Sequence, residues 1–206
     1  MRDRDLVRLY WPVELRPAFD ALFAIDDALG DVVATSTEPA LGAIRLAWWR
    51  EALQRLDTAP PPPEPKLYAA VQELLSRGIS GEVLAGLEDG WATLLDEEAD
   101  TDRIAERGAR LFAIAAQLLG ATDERLADAG RLFSFAQVAR RGLAPFPKEL
   151  AFDRLRGHRF ARAARPLTAL ARLAARDRKR APGMEPEATP ARAAALLAHR
   201  LFGIVA

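Results

Sequence analysis

Apolar residues recur at helical spacing along most of this chain. Leu15, Phe19 and Leu22 fall three or four positions apart, which places them on one face of a helix. No useful stretch shows the two-residue alternation of a half-buried strand, so we predict an all-α protein. The predicted helices cover about 14–34, 39–56, 66–77, 81–97, 101–119, 122–141, 161–180 and 190–202, with a short helical turn over 148–154.

Local signals mark several helix ends. Pro39 and Pro190 suit the first turn of a helix, where a missing backbone N–H costs nothing. Either Thr101 or Asp102 fits the N-cap of the helix that follows it. Gly120 suits the end of that same helix.

Two segments interrupt the helical pattern. Residues 59–65 are mostly proline and predict a stiff, polyproline-like loop between helices. Residues 181–189 predict a second linker. Because the roughly 58 residues before the first loop would make a poor independent core, we predict that residues 1–206 form a single domain.

The overall composition excludes several classes of protein. Half of the residues are hydrophobic and the formal net charge is zero, so no global field favours a nucleic-acid partner. The chain has no cysteine, which excludes disulfides and thiol chemistry. The charged start and the lack of a long apolar run indicate neither a secretory signal nor a membrane span. We therefore expect a cytoplasmic protein, with peripheral membrane contact as an option.

Charge is unevenly distributed along the chain. Residues 82–107 carry nine acidic side chains against two arginines, and residues 153–180 carry ten Lys or Arg against two Asp. The basic stretch, 154–180, could meet phosphates, an anionic membrane surface or an acidic protein partner. The alternative is a solvated basic face that pairs with the acidic stretch of the same chain.

Three aspartates on the first long predicted helix are candidate metal ligands. Asp27 and Asp31 are four residues apart, so their carboxylates share one helix face, and Asp26 is adjacent. Such carboxylates can hold Mg²⁺ by one oxygen each, with diphosphate and water completing the shell. A surface helix also produces this spacing by chance, so we expect no cofactor unless the protein is an active enzyme that uses Mg²⁺.

Trp48 and Trp49 lie side by side between Arg45 and Arg50. Adjacent helical residues point about 100° apart, so one indole can face the core while the other lies toward a flank. Indole N–H and guanidinium groups are costly to bury without partners. This helix therefore has to meet carboxylates of neighbouring helices or an anionic ligand.

Two other sets of polar residues are ambiguous. Arg140 and Arg141 lie near the end of a predicted helix, where the helix dipole favours cations, or they contact an anion between helices. His158 and His199 are far apart and have no ligand-like neighbours. We predict both histidines to be surface or capping residues.

The order of several segments resembles the squalene/phytoene synthase family. The closest segment includes Trp48-Trp49, and the likeness is greatest to a bacterial branch related to a mitochondrial respiratory complex I assembly factor. The chain is short for this family, chiefly through compact loops and a trimmed C-terminal part. The segments that carry the resemblance are 2–6, 12–18, 22–25, 38–53, 108–120, 130–143 and 146–150.

The resemblance implies an isoprenoid-synthase-like helical bundle around an apolar cavity. In active members, two aspartate-rich motifs hold Mg²⁺, which grips the diphosphate of a prenyl substrate before two prenyl chains are coupled head to head. The residues that would line the cavity are Phe23, Trp48, Trp49 and Phe133. The residues that would contact diphosphate are Arg45, Arg50, Arg140 and Arg141.

Both family motifs are disrupted in this chain. The resemblance places the first motif on Ala28, Leu29 and Val32, one residue out of step with Asp27 and Asp31. In the second motif, Arg140 fits but Arg141 and Pro145 take the two aspartate positions. A guanidinium at a metal ligand's position would repel Mg²⁺.

Three functions follow as expectations. The first is a catalytically degenerate family member that binds an isoprenoid or another lipid, or supports assembly of a partner complex. The second is an active Mg²⁺-dependent prenyl transferase, with Asp26, Asp27 and Asp31 as its metal site and arginines on the diphosphate. The third is a helical protein-interaction module without a cavity, in which Trp48 and Trp49 only pack.

Overall fold

The computed structural model describes residues 2–147 and 152–206. Its α-helices are α1 (Asp3–Arg8), α2 (Arg16–Thr35), α3 (Pro39–Arg55), α4 (Pro65–Glu73), α5 (Gly81–Ala85), α6 (Asp89–Ala92), α7 (Thr101–Leu119), α8 (Leu126–Arg140), α9 (Arg165–Arg180) and α10 (Pro190–Phe202). Short 3₁₀ turns lie at Val13–Leu15, Leu75–Arg77, Thr93–Leu95 and Asp153–Leu155. Within these described ranges, β pairing is confined to an isolated bridge between Arg159 and Ile204. The prediction of an all-α protein is confirmed.

Proline and glycine gave the most accurate helix ends. Helices α3 and α10 begin at Pro39 and Pro190 as predicted. Gly120 follows α7 with a φ of 59°, the left-handed conformation that glycine adopts without a steric penalty. These signals worked because each depends on a single residue's own backbone preferences.

Other helix starts differ from the prediction. The side chain of Asp100, not that of Thr101 or Asp102, accepts the backbone N–H groups of Asp102 and Arg103 and so caps α7. Helix α9 begins at Arg165 rather than at 161, because a helix from 161 would place Pro166 in its interior.

Two segments are organised differently from the prediction. Residues 81–97 form α5, α6 and a 3₁₀ turn instead of one helix, and the glycines at 86 and 90 within that stretch are poor helix formers. Helix α1 was not predicted. The predicted turn over 148–154 lies partly outside the described residues, and its described end is the 3₁₀ turn at Asp153–Leu155.

The chain divides into two compact units. The central unit comprises Glu14–Arg107, and the terminal unit comprises Met1–Val13 together with Gly108–Ala206. The single domain expected over residues 1–206 stays a prediction. In the described part of the chain, no helix combines the length and the apolar character that crossing a membrane requires.

In the central unit, α2 packs against α3, α4 and α6, and α3 packs against α5. The long helix α2 buries an almost continuous set of apolar residues, including Phe19, Leu22 and Ile25. The turn into α5 is closed by Asp57, whose carboxylate accepts the N–H groups of Gly81 and Glu82.

In the terminal unit, α9 is the central helix and packs against α1, α8 and α10. Helices α7 and α8 approach closely at Gly108 and Gly130. A Cβ atom on either glycine would lie 2.2 Å from the other's carbonyl oxygen, so only glycine permits this crossing.

Candidate functional site

The predicted metal ligand Asp26 lies inside the central unit, where no solvent reaches it. Its Oδ1 accepts a hydrogen bond from Nη1 of Arg107 at 2.7 Å and one from Nε1 of Trp91 at 2.9 Å. The Arg107 guanidinium also lies 3.9 Å from the centroid of the Trp91 ring, a cation–π contact. Asp26 is therefore the counter-ion of a buried arginine in this structure.

The donor set around Asp26 does not fit Mg²⁺. Asp27 is half-buried and Asp31 is exposed, whereas Asp26 is buried against a guanidinium that would repel a cation. Across residues 2–147 and 152–206, no three His, Asp or Glu side chains gather as a metal ion would require. Asp26 is thus poorly suited to the metal site that the active-enzyme alternative needs, and the role of Asp27 and Asp31 in that site stays a prediction.

The paired tryptophans point in different directions, as the helical geometry predicts. Trp49 is buried while Trp48 exposes 47% of its surface, and the two rings meet edge to face with centroids 5.3 Å apart. Of the other two residues expected to line a cavity, Phe23 is buried and Phe133 is half-buried beside Phe112.

The arginines expected to contact diphosphate are distributed over both units. Arg45 and Arg50 are exposed on α3. Arg45 donates to Oγ1 of Thr35 at 3.5 Å, and Arg50 lies 3.7 Å from the buried carboxylate of Glu88. Burial raises the pKa of Glu88, and the positive charge of Arg50 opposes that rise.

Arg140 belongs to a network of charges in the terminal unit. Its Nε and Nη2 donate to both oxygens of Asp177 at 2.6 Å, and Asp177 also accepts from Arg192. Arg192 in turn donates to Asp3 at 2.8 and 2.9 Å. Burial alone would lower the pKa of Arg192, but its bonds to the two aspartates outweigh this and raise it. The Arg140 side chain is thus held by a carboxylate, and its neighbour Arg141 is half-buried.

A groove of about 600 Å³ lies in the terminal unit, beside the start of α9 and the end of α10. We call it the arginine groove. Its lining combines cationic and apolar side chains: Tyr10, Arg162, Arg165, Pro166, Leu197, Arg200 and Leu201. In the described part of the chain, no carboxylate lies within ion-pairing distance of its three arginines.

The three groove arginines have different local roles. Arg165 is fixed, because it donates to the carbonyl oxygens of Phe160, Arg200 and Leu201 at 2.9–3.1 Å and so satisfies the end of α10. The guanidinium of Arg200 lies 5.0 Å from the Tyr10 ring centroid. Arg162 is exposed. Arg162 and Arg200 are consequently the exposed arginines of the groove, whereas Arg165 is held by backbone carbonyls.

Two further contacts hold the walls of the groove. Nε1 of Trp11 donates to the carbonyl of Pro166 at 3.2 Å, which ties the residue after Tyr10 to the start of α9. Gly203 ends α10 in the left-handed conformation, with a φ of 74°. A Cβ on Gly203 would lie 2.6 Å from the carbonyl oxygen of Phe160.

The prediction that both histidines are surface or capping residues is wrong for His199, whose side chain is buried on the inner face of α10. Its Nδ1 lies 3.0 Å from the carbonyl oxygen of Ile204, and its Nε2 lies 3.0 Å from Oγ1 of Thr168. Since a carbonyl only accepts, the neutral ring carries its proton on Nδ1. Burial lowers the pKa of His199, and the charges of Arg172 and Arg165 add to this effect.

His158 is half-buried, and its Nε2 lies 2.8 Å from Oδ2 of Asp123.

The sequence interpretation singled out the basic stretch that contains Arg162 and Arg165 but missed Arg200 and Tyr10. A signal was present in the acid-free segments 154–176 and 188–206, which both carry arginines. Cations without acids in two segments favour an anion-binding surface once those segments lie side by side.

Comparisons of the chain with protein families, with curated proteins and with solved structures found no match.

Proposed function

We propose that this protein binds an anionic isoprenoid, or another anionic lipid, in the arginine groove and does so without metal-dependent chemistry. On this proposal it is a squalene/phytoene synthase-like helical protein that has lost prenyl transfer. The observation that carries the proposal is the groove's lining, in which cations that lack a carboxylate partner stand beside apolar side chains.

The lining matches the two parts of such a ligand. Phosphate and diphosphate groups accept charge-assisted hydrogen bonds from guanidinium groups, which bind them in a bidentate manner. Leu197 and Leu201 lie one helical turn apart on α10 and line the same groove, where a hydrocarbon chain can cover them. A purely inorganic anion would leave these two leucines in water.

The absence of metal chemistry is supported by the surroundings of Asp26. A buried carboxylate that accepts from both Arg107 and Trp91 is already neutralised, so it has little affinity for Mg²⁺. The arginine groove supplies fixed positive charge instead, which binds a diphosphate but provides no cluster of divalent cations to promote its departure.

Calorimetric titration with farnesyl diphosphate in EDTA tests the proposal. We expect binding without Mg²⁺, and tighter binding than inorganic diphosphate shows, because the prenyl chain buries apolar surface. Arg162→Ala and Arg200→Ala should each weaken binding about threefold to tenfold, the loss of one partly solvated charge-assisted hydrogen bond. Arg156→Ala is the matched control, since it removes one exposed arginine that pairs with Asp153 outside the groove.

Two results would contradict the proposal. Binding that requires Mg²⁺, or a coupled prenyl product formed with Mg²⁺, would restore the active prenyl transferase. Equal affinity of the Arg162→Ala variant and the Arg156→Ala control would mean that the ligand does not occupy the arginine groove.

A further inference from the structure

Large apolar side chains protrude around the arginine groove. Leu197, Leu201 and Phe202 at the end of α10 expose 55%, 63% and 56% of their surfaces, and Leu9, which precedes Tyr10, exposes 59%. Isolated exposed leucines are ordinary on protein surfaces, but a group of large apolar side chains around one groove marks an interaction site.

The charged residues that line the groove are all arginines. Arg159, Arg162 and Arg200 are exposed, and segments 154–176 and 188–206 contain no aspartate or glutamate. The bridge between Arg159 and Ile204 brings the chain before α9 next to the chain after α10. This approach brings the exposed Arg159, Arg162 and Arg200 into the part of the terminal unit that contains the groove.

We infer that this face docks on an anionic lipid bilayer, with the groove arginines on lipid phosphates and the protruding apolar side chains in the outer hydrocarbon. The inference rests on the proposed function, because it assigns to the groove the phosphate-bearing lipids of a membrane as its ligand class. We call the set Leu9, Leu197, Leu201, Phe202, Arg159, Arg162 and Arg200 the docking face.

Charge complementarity selects a membrane as the occupant. A layer of anionic headgroups presents many phosphates directly above hydrocarbon, and it attracts clustered arginines through its negative surface potential. Peripheral binding strength grows with buried apolar area and with this attraction together. A single lipid in the groove would cover Leu197 and Leu201, but Leu9 and Phe202 lie outside the groove lining.

A second exposed apolar row on α3 lacks this complementarity and provides a control. Leu41, Ile44 and Trp48 are exposed there, but the exposed charged residues of the same helix and its N-cap include Glu38 and Glu51 as well as arginines. An anionic bilayer therefore gains less from contact with α3 than from contact with the docking face.

Co-sedimentation of the full chain with vesicles tests the inference. We expect binding to phosphatidylcholine vesicles that contain phosphatidylglycerol, little binding to phosphatidylcholine alone, and weakening as salt is raised. The Arg162→Ala, Arg200→Ala double variant should bind anionic vesicles roughly twenty-fivefold more weakly, because each of the two cations contributes about fivefold. Phe202→Glu should weaken binding at least as much, whereas Ile44→Glu on α3 should leave it unchanged.

The Phe202→Glu variant separates this inference from the proposed function. Because Phe202 is outside the groove lining, this variant should still bind farnesyl diphosphate in the absence of vesicles, and its added negative charge should weaken that binding by far less than the Arg162→Ala, Arg200→Ala double variant does. A circular dichroism melt of each variant checks that it is folded. Wild-type protein that binds farnesyl diphosphate but ignores anionic vesicles would overturn the docking inference and leave the proposed function standing.

Three other outcomes would also overturn the inference. Equal binding to neutral and anionic vesicles would remove the role of the arginines. Wild-type vesicle binding by a folded Phe202→Glu protein would remove the role of the protruding side chains. Loss of vesicle binding in Ile44→Glu would move the contact to α3.

Discussion

The substitution Asp26→Asn tests whether the Asp26 carboxylate, which accepts from Trp91 and Arg107, stabilises the central unit. Asparagine keeps the shape of the side chain and can still accept one hydrogen bond, but it removes the negative charge that pairs with Arg107 in the wild type. Both side chains are fully excluded from solvent, so water cannot screen the charge that remains. The change therefore isolates the electrostatic part of the interaction.

The expected loss follows from the geometry. With the nitrogen and oxygen atoms 2.7 Å apart, the charge centres lie about 4 Å apart, and an effective dielectric constant of about 20 gives an attraction of about 4 kcal/mol. Removing one partner of a buried pair typically costs about 3–5 kcal/mol. We expect Asp26→Asn to lower the free energy of unfolding of the central unit by about 4 kcal/mol.

Urea denaturation followed by tryptophan fluorescence measures this loss, because Trp48, Trp49 and Trp91 all belong to the central unit. Trp91→Phe is the comparison, since it removes one hydrogen bond to the same oxygen and should cost about 2 kcal/mol. The double variant Asp26→Leu, Arg107→Met removes both charges together and should recover most of the loss. A cost of less than about 1 kcal/mol for Asp26→Asn would refute a buried ion pair as the role of this residue.

Three further changes test other parts of the structure. Gly130→Ala would place a Cβ 2.2 Å from the Gly108 carbonyl oxygen, so it should cost about 3 kcal/mol in a urea titration of the terminal unit; an unchanged midpoint would contradict the close crossing of α7 and α8. Gly203→Ala should speed amide hydrogen exchange at the end of α10, because alanine resists the left-handed conformation and its Cβ would approach the carbonyl oxygen of Phe160. Unaltered protection of these amides would argue against Gly203 as the cap of α10. Burial lowers the pKa of His199, so below about pH 6.5 the unfolded chain takes up a proton at this residue that the folded protein does not. The free energy of unfolding should therefore be greatest above about pH 6.5 and fall below it. Thermal midpoints measured at about pH 7 and about pH 5 should differ less in His199→Gln than in the wild type.

Local features were predictable from the sequence because they depend on neighbouring residues. Helical spacing identified the all-α class, and Pro39 and Pro190 gave helix starts. The orientation of Trp48 and Trp49 followed from helical geometry alone. The start of α9 was predicted four residues too early only because Pro166 was not used as a signal.

The candidate site could not be predicted because its residues are distant in the chain. The arginine groove joins Tyr10 to residues beyond 160, and no periodic pattern reports such an approach. Asp26 was considered as a metal ligand because its sequence neighbours are acidic, whereas the residue that determines its chemistry, Arg107, lies 81 positions later. Long-range pairing of this kind is set by the packing of helices rather than by their local preferences.

The ion pair between Asp3 and Arg192 joins residues that are 189 positions apart. Helix α1 leaves the ribosome long before α10, so Asp3 waits for its buried partner while the intervening residues are made. The central unit, by contrast, is continuous in the chain and can fold as soon as it emerges. Synthesis therefore imposes an order in which the central unit can mature before α1 and α10 are joined.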